Sequence, residues 1–128
     1  MIFTVDMIIA VHERLIATSG GKQGIRDITL IDSALSSIYQ TYDTKDLYPT
    51  LIEKAARLCF ALNKNHPFVD GNKRISMHML GLFLRFHEIV YAPSNAEVVR
   101  IGLSLANGSI GYEELLTWLK KVTQSFIG

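Results

Sequence analysis

The segment HPFVDGNKR, residues 66–74, concentrates side chains that can do chemistry. Within this short stretch stand a base, a carboxylate, a carboxamide and two cations: His66, Asp70, Asn72, Lys73 and Arg74. A protein core does not need such a mixture of polar groups. Because the segment lies between two helical patterns, we expect a loop that runs into the N-terminus of a helix.

This expected loop has the features of a phosphate-binding site. The first turn of a helix offers unpaired backbone N–H groups and the positive end of the helix dipole. Gly71 lets the backbone approach a ligand closely, while Lys73 and Arg74 add positive charge. Asp70 suits Mg²⁺, which binds carboxylates together with substrate phosphates, and His66 suits proton abstraction at neutral pH. These residues predict an enzyme that transfers a phosphoryl or nucleotidyl group from a Mg-nucleotide to a hydroxyl.

The elements that must position this loop are helical. Apolar residues recur at helical spacing in six places, which predicts helices at 5–17, at 29–40, from Pro49 to about 65, from 71–72 onward, after a capping box at Ser94, and at 111–123. The polar stretch at 40–47 predicts a surface loop or short hairpin, and 89–91 is the other strand candidate. We therefore predict an all-α fold that forms one domain over residues 1–128.

Composition restricts the function classes further. The chain has 128 residues, of which 48% are hydrophobic, and its net charge is +1, so neither disorder nor bulk attraction to nucleic acid is expected. No apolar stretch reaches the roughly 20 residues of a membrane span, and the N-terminal residues do not resemble a signal peptide. The single cysteine, Cys59, cannot form an internal disulfide. We expect a cytoplasmic protein that binds neither nucleic acid nor membrane directly.

Histidines and tyrosines outside the segment have simpler interpretations. His12 lies on the apolar face of the first helix, where a core histidine is expected, and Cys59 is most simply a small buried hydrophobe. The spacing of the four histidines does not match a zinc-binding motif. Tyr39, Tyr42 and Tyr48 crowd the 40–48 region, where they either stack on a ligand or anchor the surface.

The string HPFVDGNKR resembles the signature loop of the Fic/Doc superfamily, His-Pro-Phe-x-(Asp/Glu)-Gly-Asn-(Gly or Lys)-Arg. Three further stretches resemble the Doc ("death on curing") branch of small toxins: GKQGIRDITLIDSAL, LYPTLIEKAARLCFALNKN and GYEELLTWLKK. The resemblance implies a compact bundle of about six helices with the signature loop between two central helices. It also implies a flap that docks the target, which we place at residues 40–48.

The resemblance also implies a role for each residue of the loop. His66 would be the general base that deprotonates a target hydroxyl, and Asp70 would bind Mg²⁺. Gly71 would contribute to an anion hole. Asn72 and Arg74 would bind the phosphates of ATP. The upstream Lys64 is a candidate for a further phosphate contact.

Two departures from the commoner Fic pattern bear on the reaction. Fic enzymes that transfer AMP usually carry glycine at the position of Lys73 and a second arginine at the position of Met77. The Doc branch has the lysine, and its members transfer the γ-phosphate of ATP to a translation protein, elongation factor Tu. The resemblance therefore implies a protein kinase, with AMP transfer or a catalytically inert binding module as the alternatives.

Regulation is also implied by the resemblance. Fic proteins are often inhibited by an internal helix with the pattern Ser/Thr-x-x-x-Glu-(Gly/Asn). The nearest match here begins at Ser109, but Glu114 stands where the final small residue is required. A toxin without this internal inhibitor implies a small antitoxin that inhibits it in trans.

Overall fold

The computed structural model describes residues 3–124, and this part of the chain is a helical bundle. The helices are α1 (Val5–Ser19), α2 (Ile28–Ser37), α3 (Leu51–Asn65), α4 (Asn72–Phe86), α5 (Asn95–Ala106) and α6 (Tyr112–Val122). The predicted all-α class is confirmed. None of these helices is long and apolar enough to cross a lipid bilayer.

Two capping boxes fix where α3 and α5 begin. The Thr50 hydroxyl accepts a hydrogen bond from the Glu53 backbone N–H, and the Glu53 carboxylate accepts one from Thr50. Ser94 and Glu97 repeat the arrangement at α5, as the sequence predicted. The prediction that Pro49 lies in the first turn of α3 is wrong. The helix begins after Thr50, because that side chain can cap the helix and the proline ring cannot.

The centre of the bundle is the packed pair α3 and α4. Small residues of α3, Ala55, Ala56 and Cys59, are completely buried and let α4 approach closely. The Cys59 Sγ lies 3.6 Å from the Sδ of Met77 on α4. Burial raises the pKa of the Cys59 thiol to about 12, so it stays protonated, as expected of a small buried hydrophobe. The other helices pack around this pair. Helices α2, α5 and α6 contact α3, and helices α1 and α5 contact α4.

Short strands occupy the places where helical periodicity fails. β1 (Thr41–Tyr42) and β2 (Lys45–Asp46) form an exposed antiparallel hairpin, which confirms one of the two alternatives predicted for 40–47. Its turn residues, Asp43 and Thr44, have φ of 51° and 65°. β3 (Val90–Tyr91) confirms the second strand candidate. Its partner, β4 (Thr123–Gln124), was not predicted, since two residues carry no detectable pattern.

Candidate active site

The loop between α3 and α4 carries the predicted catalytic base. His66 follows the last residue of α3 in the left-handed region, with φ 50° and ψ 56°. This conformation costs an L-residue roughly 1–2 kcal/mol, so other contacts must hold it. The turn leaves the His66 side chain exposed at the surface. Its position at a helix end, rather than within a helix, therefore presents the imidazole to solvent and to a ligand.

The predicted site residues, apart from Lys64, border one cavity of about 400 Å³. The lining residues are His66, Val69, Asp70, Gly71, Asn72, Lys73, Arg74 and Ala106. Within residues 3–124, neither Lys73 nor Arg74 forms an ion pair with a carboxylate, so both positive charges remain available to a ligand. The structure thus brings a base, a carboxylate and two cations to one place.

Gly71, the residue before α4, lines this cavity. Its φ of 77° lies in the left-handed region, and a Cβ added here would lie 2.8 Å from the Cδ1 of Ile16. As the N-cap residue it has no side chain with which to cap the first turn of α4. Within residues 3–124, no side chain accepts a hydrogen bond from the N–H groups of Asn72, Lys73 and Arg74 in this turn, as an anion-binding helix start requires.

The Asp70 carboxylate is held by two backbone amides. Its Oδ2 accepts a hydrogen bond from the Lys22 N–H at 3.0 Å, and its Oδ1 accepts one from the Gly71 N–H at 2.8 Å. The bond from Lys22 contributes most, and the bond from Gly71 comes second, in holding the pKa of the Asp70 carboxyl below its ordinary value. The Arg74 charge adds to the effect. Asp70 is therefore ionised at neutral pH. An ionised carboxylate at the edge of this cavity is the kind of hard oxygen ligand that Mg²⁺ prefers.

Asn72 points into the loop. Its side-chain oxygen accepts a hydrogen bond from the Phe68 N–H at 3.0 Å, and its amide donates one to the Phe68 carbonyl at the same distance. The side chain is buried. It braces the loop between α3 and α4 by pairing with both backbone groups of one residue. Its predicted role as a phosphate ligand stays a prediction.

The cations of the site have different partners. Arg74 Nη1 donates hydrogen bonds to the Ser19 hydroxyl at 2.8 Å and to the Gly20 carbonyl at 2.6 Å, so it joins α4 to the end of α1. Lys73 is exposed. Lys64 donates to the Leu105 carbonyl at the end of α5 and does not line the cavity. Its role as a phosphate contact therefore stays a prediction.

Residues 20–27, which connect α1 to α2, hydrogen-bond to the signature loop at several points. The sequence analysis did not predict these contacts. Arg26 donates from Nε to the His66 carbonyl at 2.6 Å and from Nη2 to the Asn65 carbonyl at 2.7 Å. The Val69 N–H donates to the Gly24 carbonyl at 3.0 Å. These bonds cap the end of α3 and hold the His66 backbone in its left-handed conformation. The one available signal was the resemblance of GKQGIRDITLIDSAL to the Doc branch.

A second unpredicted contact comes from α1. His12 is buried, as predicted, but its neighbours belong to the signature loop. The His12 Nε2 lies 2.7 Å from the Asp70 carbonyl oxygen, and its ring stacks on Phe68 with centroids 3.7 Å apart. The apolar periodicity of α1 could place this histidine in the core but could not identify the loop it would contact.

Comparison with known proteins agrees with the geometry. A sequence model of the Fic/DOC family matches residues 2–84, which is more than half of the chain and includes the whole loop. A protein of Mycolicibacterium smegmatis named Toxin Doc is 38% identical to this chain over 73 residues. That match covers 57% of this chain and 56% of the relative, so the chain spans little more than half the relative's length. The family membership inferred from HPFVDGNKR is confirmed, and the chain belongs to the Fic/DOC family.

Proposed function

We propose that this chain is a Doc-type toxin that transfers the γ-phosphate of ATP to a hydroxyl side chain of a translation protein. The observation that carries the proposal is the convergence of His66, Asp70, Lys73 and Arg74 on one cavity at the open N-terminus of α4. Phosphoryl transfer needs positioning, charge neutralisation and a base for the nucleophile. The cavity offers groups of each kind.

In this proposal, α4 holds the phosphates of ATP. Backbone N–H groups of its first turn, together with Lys73 and Arg74, neutralise the negative charge. Arg74 donates two hydrogen bonds to the end of α1. A guanidinium carries five N–H donors, so its remaining N–H groups can bind phosphate. Asp70 would hold Mg²⁺, which offsets phosphate charge when bound. In residues 3–124 there is no cluster of three metal-ligating side chains, so the remaining ligands would be phosphate oxygens and water.

His66 would activate the acceptor. Its imidazole takes the proton of the target hydroxyl while that oxygen forms a bond to the γ-phosphorus. The bond from the γ-phosphorus to the bridging oxygen breaks, and ADP leaves with that electron pair. The exposed position of His66 lets a folded protein present its hydroxyl to the ring. Arg26 contributes by holding the backbone from which the ring projects.

AMP transfer is the second candidate. Pro67 and Gly71 favour it, because this chain keeps both residues, as the AMP-transferring enzymes do and some relatives of the Doc branch do not. Lys73 and Met77 favour the kinase. Met77 is buried against Cys59, so the position of the second arginine holds an apolar side chain that cannot bind the far phosphate in the usual AMP-transfer pose.

The biological setting is proposed from the same resemblance and from the relative named Toxin Doc. The target would be a cytoplasmic translation protein similar to elongation factor Tu. Modification of this protein would arrest translation. A small antitoxin would bind the chain and inhibit it in trans.

Labelled ATP distinguishes these candidates. The purified chain is incubated with a bacterial lysate, Mg²⁺ and ATP labelled at either the γ- or the α-phosphate. Protein labelled only from the γ position supports the kinase, whereas label from the α position supports AMP transfer and contradicts the proposal. Absence of label in both reactions supports a catalytically inert binding module.

Variants test the assigned residues in the same assay. We expect His66→Ala to abolish labelling and growth arrest, because it removes the base. His87→Ala is the matched control, since His87 lies at the other end of α4, about 22 Å along the helix. Lys73→Gly should weaken γ-transfer. If it leaves γ-transfer unchanged, Lys73 has no part in the mechanism.

A further inference from the structure

His12, a buried residue of α1, lies against the signature loop beside the Asp70–Gly71 peptide bond. Its ring stacks nearly parallel on Phe68, at an interplanar angle of 7°. Its Nε2 lies 2.7 Å from the Asp70 carbonyl oxygen. Since a carbonyl can only accept, Nε2 must carry the proton and donate it. The stacked ring and the hydrogen bond together fix both the plane of the imidazole and the direction of the carbonyl.

The direction of this carbonyl determines the direction of the Gly71 N–H. The peptide is trans, so its C=O and N–H point in opposite directions. With the carbonyl turned toward His12, the N–H points to the other side and donates to the Asp70 Oδ1 at 2.8 Å. One peptide plane therefore couples the buried imidazole to the carboxylate proposed to hold Mg²⁺.

This peptide needs such a restraint because glycine follows it. Rotation of a peptide plane changes ψ of the residue before it and φ of the residue after it, and Gly71 accepts either sign of φ at low cost. The observed φ of 77° at Gly71 therefore corresponds to one of two accessible orientations of the Asp70–Gly71 peptide plane. In the other orientation the carbonyl oxygen would turn toward the Asp70 carboxylate, which would lose the Gly71 N–H as a donor and be repelled by the carbonyl.

We propose that His12 is a positioning residue that locks the Asp70–Gly71 peptide with its carbonyl toward α1 and its N–H toward the Asp70 carboxylate, which borders the proposed phosphate site. The inference rests on the proposed function for its effect on catalysis, but the lock itself is a property of the free protein. His12 does not contact the reacting atoms. It acts through the hydrogen bond to Asp70, while the stack on Phe68 holds its ring.

The test compares three variants. His12→Phe keeps an aromatic ring on Phe68 but removes the donor, His12→Gln places an amide N–H near the position of Nε2, and His87→Phe is the same substitution at the far end of α4. We expect His12→Phe to lower kcat for γ-phosphate transfer roughly a hundredfold, with less than about a twofold change in the KM for the acceptor protein. His12→Gln should recover at least about tenfold of this loss, and His87→Phe should match the wild type.

A measurement without catalysis separates this inference from the proposed function. The ¹⁵N–¹H resonance of Gly71 reports the peptide orientation in the free protein. We expect it to shift and broaden in His12→Phe, to return toward the wild-type position in His12→Gln, and to stay unchanged in His87→Phe. A Gly71 resonance that is identical in His12→Phe and wild type overturns the lock. If the wild type transfers no label at all but the Gly71 resonance behaves as expected, the proposed function fails and the lock stands.

Discussion

Two connections of this protein carry no helical pattern, and they differ in how they are tied to the rest of the fold. Residues 20–27 are mostly exposed, yet their backbone and Arg26 bind the loop between α3 and α4 at several points. The hairpin of β1 and β2 is equally exposed, but its two strands pair mainly with each other. In the part of the chain that the structure describes, the ion pair between the hairpin and the bundle joins Lys54 Nζ to Asp46 at 4.0 Å.

The difference shows that exposure alone does not tell which loop supports a site. The 20–27 connection is a structural part of the candidate active site, since it caps α3 and binds the Asp70 carboxylate. The hairpin residues 41–46, in contrast, do not line the cavity. A loop that hydrogen-bonds to the site can position its catalytic groups. A loop whose hydrogen bonds are mainly internal is suited to contact a partner.

The largest effect is expected when a side chain is added at Gly21, in the connection that hydrogen-bonds to the site. This glycine has φ 118°, and an added Cβ would lie 2.8 Å from both Arg74 Nη2 and Asp70 Oδ2. We expect Gly21→Ala to reduce γ-phosphate transfer roughly a hundredfold and the free energy of unfolding by about 1–3 kcal/mol. Labelling assays and urea denaturation measure the two effects. Gly108→Ala is the control, because that glycine also has positive φ but an added Cβ meets nothing within 4 Å. Equal activity of the two variants would show that the connection does not support the site.

A smaller effect is expected when the connection loses its hold on α3. Arg26→Ala removes the two hydrogen bonds that cap the Asn65 and His66 carbonyls. We expect a loss of about 1–2 kcal/mol in the free energy of unfolding and roughly a tenfold lower kcat, because the His66 backbone is then less restrained. Arg26→Lys keeps the charge without the planar fork and should recover only part of the loss. Wild-type kcat in Arg26→Ala would mean that α3 holds His66 by itself.

The contrast between the two connections also explains how far the sequence could be read. The six helices and the string HPFVDGNKR carry local patterns, so the fold class and the site loop were predictable. The bonds of Lys22 to Asp70 and of Arg26 to His66 join residues 48 and 40 positions apart, and no spacing rule reports such contacts. The inward direction of Asn72 was hidden for another reason. A first-turn amide can turn to a ligand or to its own loop, and only the packed structure decides between them.

The smallest effect on stability is expected in the hairpin. Tyr42 is 77% exposed, so Tyr42→Ala should change the free energy of unfolding by less than about 0.5 kcal/mol, as measured by urea denaturation. If the hairpin is the flap that docks the target, the same variant should raise the KM for the acceptor protein while kcat stays near the wild-type value. Tyr39→Ala, at a half-exposed residue just before the hairpin, is the matched control. A Tyr42 variant with wild-type KM would remove this side chain from target binding. A variant with lowered kcat would show that the hairpin, too, supports the catalytic groups, and the contrast between the two connections would fail.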